Sequence, residues 1–220
     1  DITAFYGGEG MSEGLRAYIG KAFKKIYGSY GASDLEINIA AENDFTISLR
    51  TLLTKNKALH KKIVRHGTLP MIFQYNPLDY YIETNPKGEL IITLCRASNI
   101  APKVRYNIHD LGHVMRFPEL KSVLKECGLT VDDIGTSETD LPLIFHYGRA
   151  DLAVAFYGCK ITPVEIEDII FKSPGLSKMI SSFSLITTED KKLNKRLILA
   201  LEMREGLAKP SSKDAERLRK

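Results

Sequence analysis

The first thirty residues alternate between apolar runs and glycine-rich breaks in the pattern of a strand, a helix and a second strand. Residues 2–6 have the composition of a strand, and the glycines within residues 7–10 end it. Ser12 is placed to cap a helix with apolar residues at helical spacing: Leu15, Tyr18, Ile19 and Phe23. Residues 25–28 predict a short strand, so this region predicts a β-α-β unit with parallel strands.

The middle of the chain predicts two helices followed by a meander of strands. Residues 46–66 hold two helical stretches that divide near Asn56. Strands are predicted at residues 71–75, 80–83 and 89–94, with proline-containing turns between them. Strands joined by such short turns pair antiparallel, so we expect the sheet type to change along the chain.

The last part of the chain predicts a smaller unit of helices and strands. The elements expected are a helix at 117–126, a strand at 143–147, strands at 152–157, 184–188 and 197–203, and a helix at 163–171. We place a domain boundary within residues 148–151, which gives domains 1–148 and 149–220. The predicted fold class is α/β: a mixed sheet with flanking helices and an antiparallel meander, followed by a small α+β domain.

Composition and charge exclude several classes of function. The 220 residues are 44% hydrophobic and 26% charged, which is ordinary for a globular protein. No apolar run approaches the roughly 20 residues of a membrane span, and no signal-peptide pattern occurs. The net charge of +4 comes largely from residues 55–65 and 209–220, which we interpret as solvated helix faces or a frayed end. We therefore expect a cytoplasmic protein with neither nucleic-acid nor membrane partners.

Cysteines and histidines give little indication of a metal site. Cys95, Cys127 and Cys159 are far apart and form no CxxC pair, so we expect small buried thiols in a reducing compartment. His109 and His113 lie four residues apart, but Gly112 argues against a helix there and no third ligand is evident. We interpret both as solvated or hydrogen-bonded histidines.

The segment from Tyr30 to Asp34 is the first of three with the residue types of a nucleotide site. It follows a strand, and ligands bind at strand ends in open α/β sheets. Ser33 could donate to a phosphate oxygen, Asp34 could hold Mg²⁺, and the ring of Tyr30 could cover a base. The alternative is that Ser33 caps a helix running into residues 35–37, and this segment alone favours that alternative.

Two later segments and an earlier one add to this pattern. Asp110 could accept the two hydroxyls of a ribose, or could pair with Arg105 on the surface. Arg149, between a strand and the small unit, offers a planar fork of donors for ribose or phosphate, unless it serves a linker. The glycines of residues 7–10 permit close approach of a ligand, although a plain turn explains them equally well.

The order of these segments resembles the adenylate-forming enzymes of the acyl-CoA synthetase superfamily, most of all the phenylacetate–CoA ligase and coenzyme F390 synthetase branch. The matching segments are Gly8-Glu9, residues 30–34, Gly88-Glu89-Leu90, and residues 106–110, 148–151 and 158–167. The resemblance covers nearly the whole chain. It implies that residues 1–148 are the later part of the large AMP-binding domain and that residues 149–220 are part of the small C-terminal domain.

The resemblance assigns each matching residue a role in binding ATP or AMP. Those expected to bind the nucleotide are Gly8 and Glu9 at the adenine edge, Tyr30 stacked on adenine, Gly31 and Ala32 beside it, Ser33 at the α-phosphate, Asp110 at the ribose and Arg149 at ribose or phosphate. Ser33 and Asp34 are the expected catalytic residues. Asp34 is also the expected Mg²⁺ ligand, and Asp151 the expected hinge about which the small domain rotates.

The implied reaction activates a carboxylic acid with ATP through an acyl-adenylate and transfers the acyl group to coenzyme A. The family's phosphate loop and C-terminal catalytic lysine do not match any segment of this sequence, since the contexts of Lys209 and Lys213 differ. His109 also replaces a glycine of many relatives. We therefore expect a C-terminal fragment that is inactive alone. The acceptor could instead be another group, as in F390 synthetase, the module could be noncatalytic, and a homodimer is left open.

Overall fold

In the computed structural model, the described residues are 2–96, 99–137, 139–149, 154–156, 159–189 and 195–207. They divide into two compact units. The first contains the N-terminal residues up to Met11 and the described residues between Ile19 and Arg149, and the second contains Ser12–Tyr18 and the described residues from Val154 onward. The boundary proposed from the sequence at 148/149 stays a prediction.

An eight-stranded mixed sheet forms the frame of the first unit. Its strands are β1 (Thr3–Gly7), β2 (Lys25–Tyr30), β3 (Ala40–Ala41), β4 (Met71–Tyr75), β5 (Tyr80–Thr84), β6 (Glu89–Leu94), β7 (Tyr106–Met115) and β8 (Leu143–Arg149). They lie in the order β1-β2-β3-β4-β8-β7-β6-β5. β1 and β2 are parallel and the remaining pairs are antiparallel, which confirms the predicted change of sheet type.

Three helices cover one face of this sheet. They are α2 (Asp44–Lys55), α3 (Lys57–Ile63) and α4 (Phe117–Glu126). Asn56 separates the first two as predicted, and its side chain accepts a hydrogen bond from the amide of Leu59 at 3.0 Å, which caps α3. Apolar side chains fill most of the core beneath the helices, and these are at most 1% exposed: Leu49, Leu53, Leu59, Ile63, Phe117, Leu120, Leu124, Leu143 and Phe145.

The described residues after Arg149 contribute four strands and two helices to the second unit. They are β9 (Val154–Phe156), β10 (Cys159–Ile161), α5 (Pro163–Lys172), α6 (Pro174–Met179), β11 (Ile180–Glu189) and β12 (Lys195–Met203). The strands form two antiparallel pairs, β9 with β10 and β11 with β12. Thr162 and Glu165 form a capping box at the start of α5, with Glu165 Oε2 2.8 Å from the Thr162 amide. The predicted small α+β unit is confirmed.

Helix α1 (Glu13–Ile19) begins in this second unit. The hydroxyl of Ser12 accepts from the amide of Leu15 at 3.1 Å, so Ser12 caps the helix as predicted. The amides of Ser12 and Gly14 donate to Glu167 and Asp168 on α5 at 3.1 and 3.0 Å. The helix ends four residues earlier than the apolar pattern suggested, because residues 20–22 form a turn.

Several smaller expectations need correction. His113 is 1% exposed, and neither of its ring nitrogens has a hydrogen-bond partner among the described residues, so it is neither solvated nor hydrogen-bonded. Its ring stacks on Phe145 with centroids 4.6 Å apart. Cys95 is exposed and Cys127 only half-buried, because both lie at the ends of their elements and not within the core. Among the described residues, none belongs to a helix long and apolar enough to cross a membrane.

Candidate functional site

The carboxyl end of β2 carries the first predicted segment. Tyr30 is the last residue of β2 and is 5% exposed. After it, the amide of Ala32 donates to Glu36 O and the amide of Leu35 donates to Ala32 O, both at 3.0 Å. These bonds close a turn that leaves Ser33 and Asp34 exposed. The alternative in which Ser33 caps a helix is wrong, because residues 35–37 form no helix.

Gly31 is required by the close packing of this loop. A Cβ at Gly31 would lie 2.2 Å from the carbonyl oxygen of Ile37 and 2.4 Å from that of Glu36. Those atoms belong to the backbone and cannot rotate away, so residues 31–37 fold back on themselves only if position 31 lacks a side chain.

A cluster that the sequence did not indicate ties the same loop to β5. The hydroxyl of Tyr80 donates to Glu36 and, at 3.4 Å, to the carbonyl oxygen of Asn38. Arg96 lies 3.3 Å from Glu36 and 3.1 Å from Asp79, with its guanidinium over the Tyr80 ring. Burial, with help from Glu36, raises the pKa of Tyr80 to about 12, so the phenol stays a donor. The loop after β2 is therefore fixed at its far end.

Strand β7 brings the other two segments to this loop. The hydroxyl of Tyr106 donates to the carboxylate of Asp34. Four residues along β7, Asp110 Oδ2 accepts the hydroxyl of Tyr30 at 2.8 Å. Arg149 is the register partner of Asp110 on β8. Tyr30–Asp34, Tyr106–Asp110 and Arg149 thus form one cluster, which we call the β7 cluster.

The sheet must curl for these contacts to form. β2 and β7 are separated by β3, β4 and β8 in the strand order. At about 4.8 Å between neighbouring strands, a flat sheet would hold them roughly 19 Å apart. A tyrosine and an aspartate side chain cannot together span that distance, so the curl of the sheet, and not the order of its strands, joins Tyr30 to Asp110.

The electrostatics of the cluster differ between its two carboxylates. The Tyr106 hydroxyl, with smaller help from Lys103 and Arg149, lowers the pKa of the exposed Asp34 below its ordinary value. Asp110 is 5% exposed. Burial, together with the charge of Asp110, raises the pKa of Tyr30 well above its ordinary value, so this phenol stays protonated. Asp34 is open to a ligand, whereas Asp110 is enclosed.

Asp110 lies within β7 and not at either end of the strand. The β7–β8 register shifts between Leu111 and Gly112, so a bulge at Tyr147 of β8 follows the Asp110–Arg149 pair after one further residue pair. The alternative surface pair of Asp110 with Arg105 does not form, because both oxygens of Glu83 accept hydrogen bonds from Arg105 at 2.7 Å.

The residue before Asp110 has a backbone conformation that favours glycine. His109 has φ 64°, in the left-handed region. Its amide donates to Asn107 Oδ1 at 2.8 Å, and its ring lies 3.3 Å from Glu89. Asn85, Asn107 and His109 lower the pKa of Glu89 to about 2. This position is where the sequence resemblance places a glycine in many relatives, and the side-chain contacts offset the backbone cost of histidine.

His146 is a member of the site that the sequence did not reveal. Its ring lies 5.0 Å from that of Tyr30, and Nε2 lies 3.6 Å from Asp110 Oδ2. The alternation of β8 carries the signal, since Leu143, Phe145 and Tyr147 belong to the helix-side core and the residues between them face the other way. The ring of Phe73 packs with its centroid 5.7 Å from that of Tyr30 on this same face.

The remaining predicted site residues lie at the edge of the sheet or outside the described residues. Gly8, with φ 97°, and Glu9 are exposed after β1. Gly7 pairs with Ser29 in the parallel ladder, so they lie at the sheet edge where β2 ends. Asp151 and the two C-terminal lysines considered from the sequence lie outside the described residues.

Comparison with known proteins shows that this chain is similar in fold to solved structures, and it shows no more than the fold. No protein-family model and no curated protein matches the chain. A 2-hydroxyisobutyryl-CoA ligase in the postadenylation state in complex with R3-HIB-AMP is similar, with TM-score 0.62 and 16% identity over 99% of this chain and 40% of its own. The same ligase in complex with 2-HIB-AMP gives TM-score 0.59, with 17% identity over the same shares. The anthranilate CoA ligase AuaEII in complex with anthranoyl-AMP gives 0.54, with 10% identity over 98% and 36%.

These likenesses agree with the fold predicted from the sequence. The chain spans about 40% of the length of the 2-hydroxyisobutyryl-CoA ligase. Identities this low show the fold and not the activity. The α/β fold of this chain, a large mixed sheet with flanking helices and a small antiparallel unit, is that of part of these CoA ligases.

Proposed function

We propose that the protein containing this chain activates a carboxylic acid with ATP and transfers the acyl group to coenzyme A, in the manner of phenylacetate–CoA ligases. In the first step, a carboxylate oxygen bonds to the α-phosphorus and the bond to the β-phosphate oxygen breaks, which releases pyrophosphate. In the second, the thiol sulfur bonds to the acyl carbon, the thiol proton is lost, and AMP leaves. Such reactions depend on positioning and on neutralising charge.

The observation that carries this proposal is the β7 cluster. Two segments that the resemblance assigns to one nucleotide meet through the Tyr106–Asp34 and Tyr30–Asp110 hydrogen bonds, and the third joins them through Arg149, the register partner of Asp110. The fold likeness to ligases that bind acyl-adenylates supports the same reading. In this proposal Tyr30 stacks on adenine, Asp110 binds the ribose, and Ser33 donates to the α-phosphate.

Charge near Asp34 suits a phosphate with a divalent cation. Asp34 is exposed, and the Tyr106 hydroxyl lowers its pKa below the ordinary value, which favours the charged carboxylate. Mg²⁺ is commonly held by one or two carboxylates together with substrate phosphates, so the single carboxylate of Asp34 fits such a site. When bound there, Mg²⁺ would neutralise phosphate charge. Arg149 and Lys103, whose charges act on Asp34, would add to that neutralisation.

Pyrophosphate exchange tests the proposal. The full-length protein is expected to exchange labelled pyrophosphate into ATP in the presence of one acid from a panel of aryl and acyl acids. Asp110→Asn should lower exchange about a hundredfold, because two charge-assisted hydrogen bonds to ribose are lost. Asp140→Asn, at an exposed carboxylate paired with Lys121, serves as the control and should leave exchange unchanged. No exchange across the panel would reject the proposal.

A noncatalytic nucleotide-binding or scaffold role is the second candidate, favoured by the closed Tyr30–Asp110 contact. Asp110 is 5% exposed and its Oδ2 is already bonded, so ribose binding has to open that contact. Calorimetry with AMP and Mg²⁺ on the full-length protein separates the candidates. Absence of AMP binding supports the scaffold role, binding without exchange supports a noncatalytic nucleotide-binding role, and exchange supports the first candidate. If exchange occurs without acyl-CoA formation, mass spectrometry of the products identifies a different acceptor, as in F390 synthetase.

A further inference from the structure

Asp110 has a second polar neighbour besides Tyr30, which is the imidazole of His146. Nε2 of His146 lies 3.6 Å from Oδ2, the same oxygen that accepts the Tyr30 hydroxyl. That nitrogen is buried, and none of the described residues gives it a hydrogen-bond partner. A shift of a few tenths of an ångström would bring the pair within hydrogen-bond distance.

The strands and the neighbouring rings hold this imidazole beside the carboxylate. His146 is the register partner of Gly112, which lies just beyond the bulge that follows Asp110. Its ring packs at 5.0 Å from Tyr30 and 6.4 Å from Phe73. The His146 side chain is 13% exposed and that of Asp110 is 7% exposed, so little water competes for the pair.

Tyr30 is 5% exposed, so its ring has to move before it can stack on adenine, and that movement opens its hydrogen bond to Asp110. A carboxylate this buried is destabilised when it loses a donor and nothing replaces it. A nitrogen that already lies next to the same oxygen can supply the replacement with almost no movement.

We propose that His146 is a positioning residue of the nucleotide site. Its Nε2–H donates to Asp110 Oδ2 when the Tyr30 hydroxyl leaves that oxygen for the bound nucleotide. The carboxylate thereby keeps its orientation and presents Oδ1 to the ribose hydroxyls. This inference rests on the proposed function.

Glutamine and methionine at position 146 provide the test, because they have nearly the same shape and differ in the donor. Calorimetry with AMP on the full-length protein should show His146→Met binding about tenfold more weakly than the natural protein, and His146→Gln within about twofold of it. In steady-state assays the Met variant should raise KM for ATP and leave kcat within about twofold. His113→Met is the matched control, since His113 is buried on the helix-covered face, and it should leave AMP affinity unchanged.

The outcomes separate this inference from the proposed function. Absence of AMP binding by the natural protein rejects the proposed function itself. Binding by the natural protein with equal affinities for the Gln and Met variants overturns the role of His146 alone. If the Met variant does not fold, ¹⁵N-histidine spectra of the natural protein decide. The ring-nitrogen signal missing from His146→Gln should move when AMP is added, and an unmoved signal overturns the inference.

Discussion

On the helix-covered face of the large sheet, His113 is 1% exposed against Phe145, whereas on the opposite face Asp110 is 5% exposed between Tyr30 and His146. Both groups are buried, but their surroundings differ. Burial, with smaller effects from Arg65 and His66, lowers the pKa of His113 to about 3, so its ring stays neutral among apolar neighbours. The carboxylate of Asp110 has a phenol donor aimed at it.

The difference shows two ways in which one sheet can keep a titratable side chain buried. A buried titratable group without hydrogen-bond partners is tolerated because it stays uncharged. A buried carboxylate is stabilised by hydrogen-bond donors, and those donors can be exchanged for groups on a ligand. The face with donors is therefore where we place the site.

The largest effect is expected from a cavity on the helix-covered face. Leu49 on α2 is fully buried in the core, so Leu49→Ala should lower the free energy of unfolding by about 3 kcal/mol. Urea unfolding measures the change. Leu78→Ala, at a side chain 82% exposed, should change stability by no more than about 0.5 kcal/mol. Equal effects of the two would contradict the assignment of the core.

The next effect concerns the loop of the β7 cluster. Gly31→Ala places a methyl within 2.4 Å of two backbone oxygens, so the loop must move at a cost of about 2 kcal/mol. Thermal unfolding measures the stability, and AMP affinity should fall with it. Gly67→Ala, where an added Cβ meets nothing within 4 Å, should be neutral or slightly stabilising.

Tyr30→Phe removes one donor and keeps the ring. The variant leaves the buried carboxylate of Asp110 without its phenol, so the free energy of unfolding should fall by about 1.5 kcal/mol. Tyr75→Phe is the matched control, since Tyr75 is 6% exposed and its hydroxyl bonds to none of the described residues. A loss no greater than in that control would show that the Tyr30–Asp110 bond contributes nothing.

The neutral His113 on the helix-covered face predicts that the free energy of unfolding depends on pH. The pKa of His113 is about 3 in the folded protein, against an ordinary value of 6.5. As the pH falls, the unfolded chain therefore binds a proton at this residue before the folded chain does. The stability contribution of His113 is complete above pH 6.5 and is lost as pH falls toward 3, at about 1 kcal/mol per unit. Urea unfolding at pH 7 and 5.5 measures this loss. His113→Leu should reduce it, and an unchanged slope would contradict the prediction.

The smallest effect is expected at His109. Its left-handed backbone costs a non-glycine residue about 1 kcal/mol, and His109→Gly removes that cost together with the contact to Glu89. The two changes oppose each other, so thermal stability should barely move. His109→Ala loses the contact and keeps the strain, and should therefore unfold at a lower temperature than the glycine variant.

Local pattern was sufficient for most elements and for the candidate segments, but not for the contacts between those segments or for the presence of His146 beside them. The Asn56 break, the strand meander and the Ser12 cap follow from composition within a few residues, because capping and turn chemistry are local. The two-residue β3 and the long β7 were harder to predict. β3 is too short for a pattern, and β7 contains a bulge and a positive φ that interrupt its alternation.

The sequence by itself determined the α/β class, the change from parallel to antiparallel pairing, and the segments that could bind a nucleotide. Only the tertiary structure decided that Asp110 is enclosed by Tyr30, that Asp34 is bonded to Tyr106, and that His146 joins them. These contacts join residues 36 to 80 positions apart. They depend on the curl of an eight-stranded sheet, and that curl is the sum of twists and packing along every strand, which no short segment encodes.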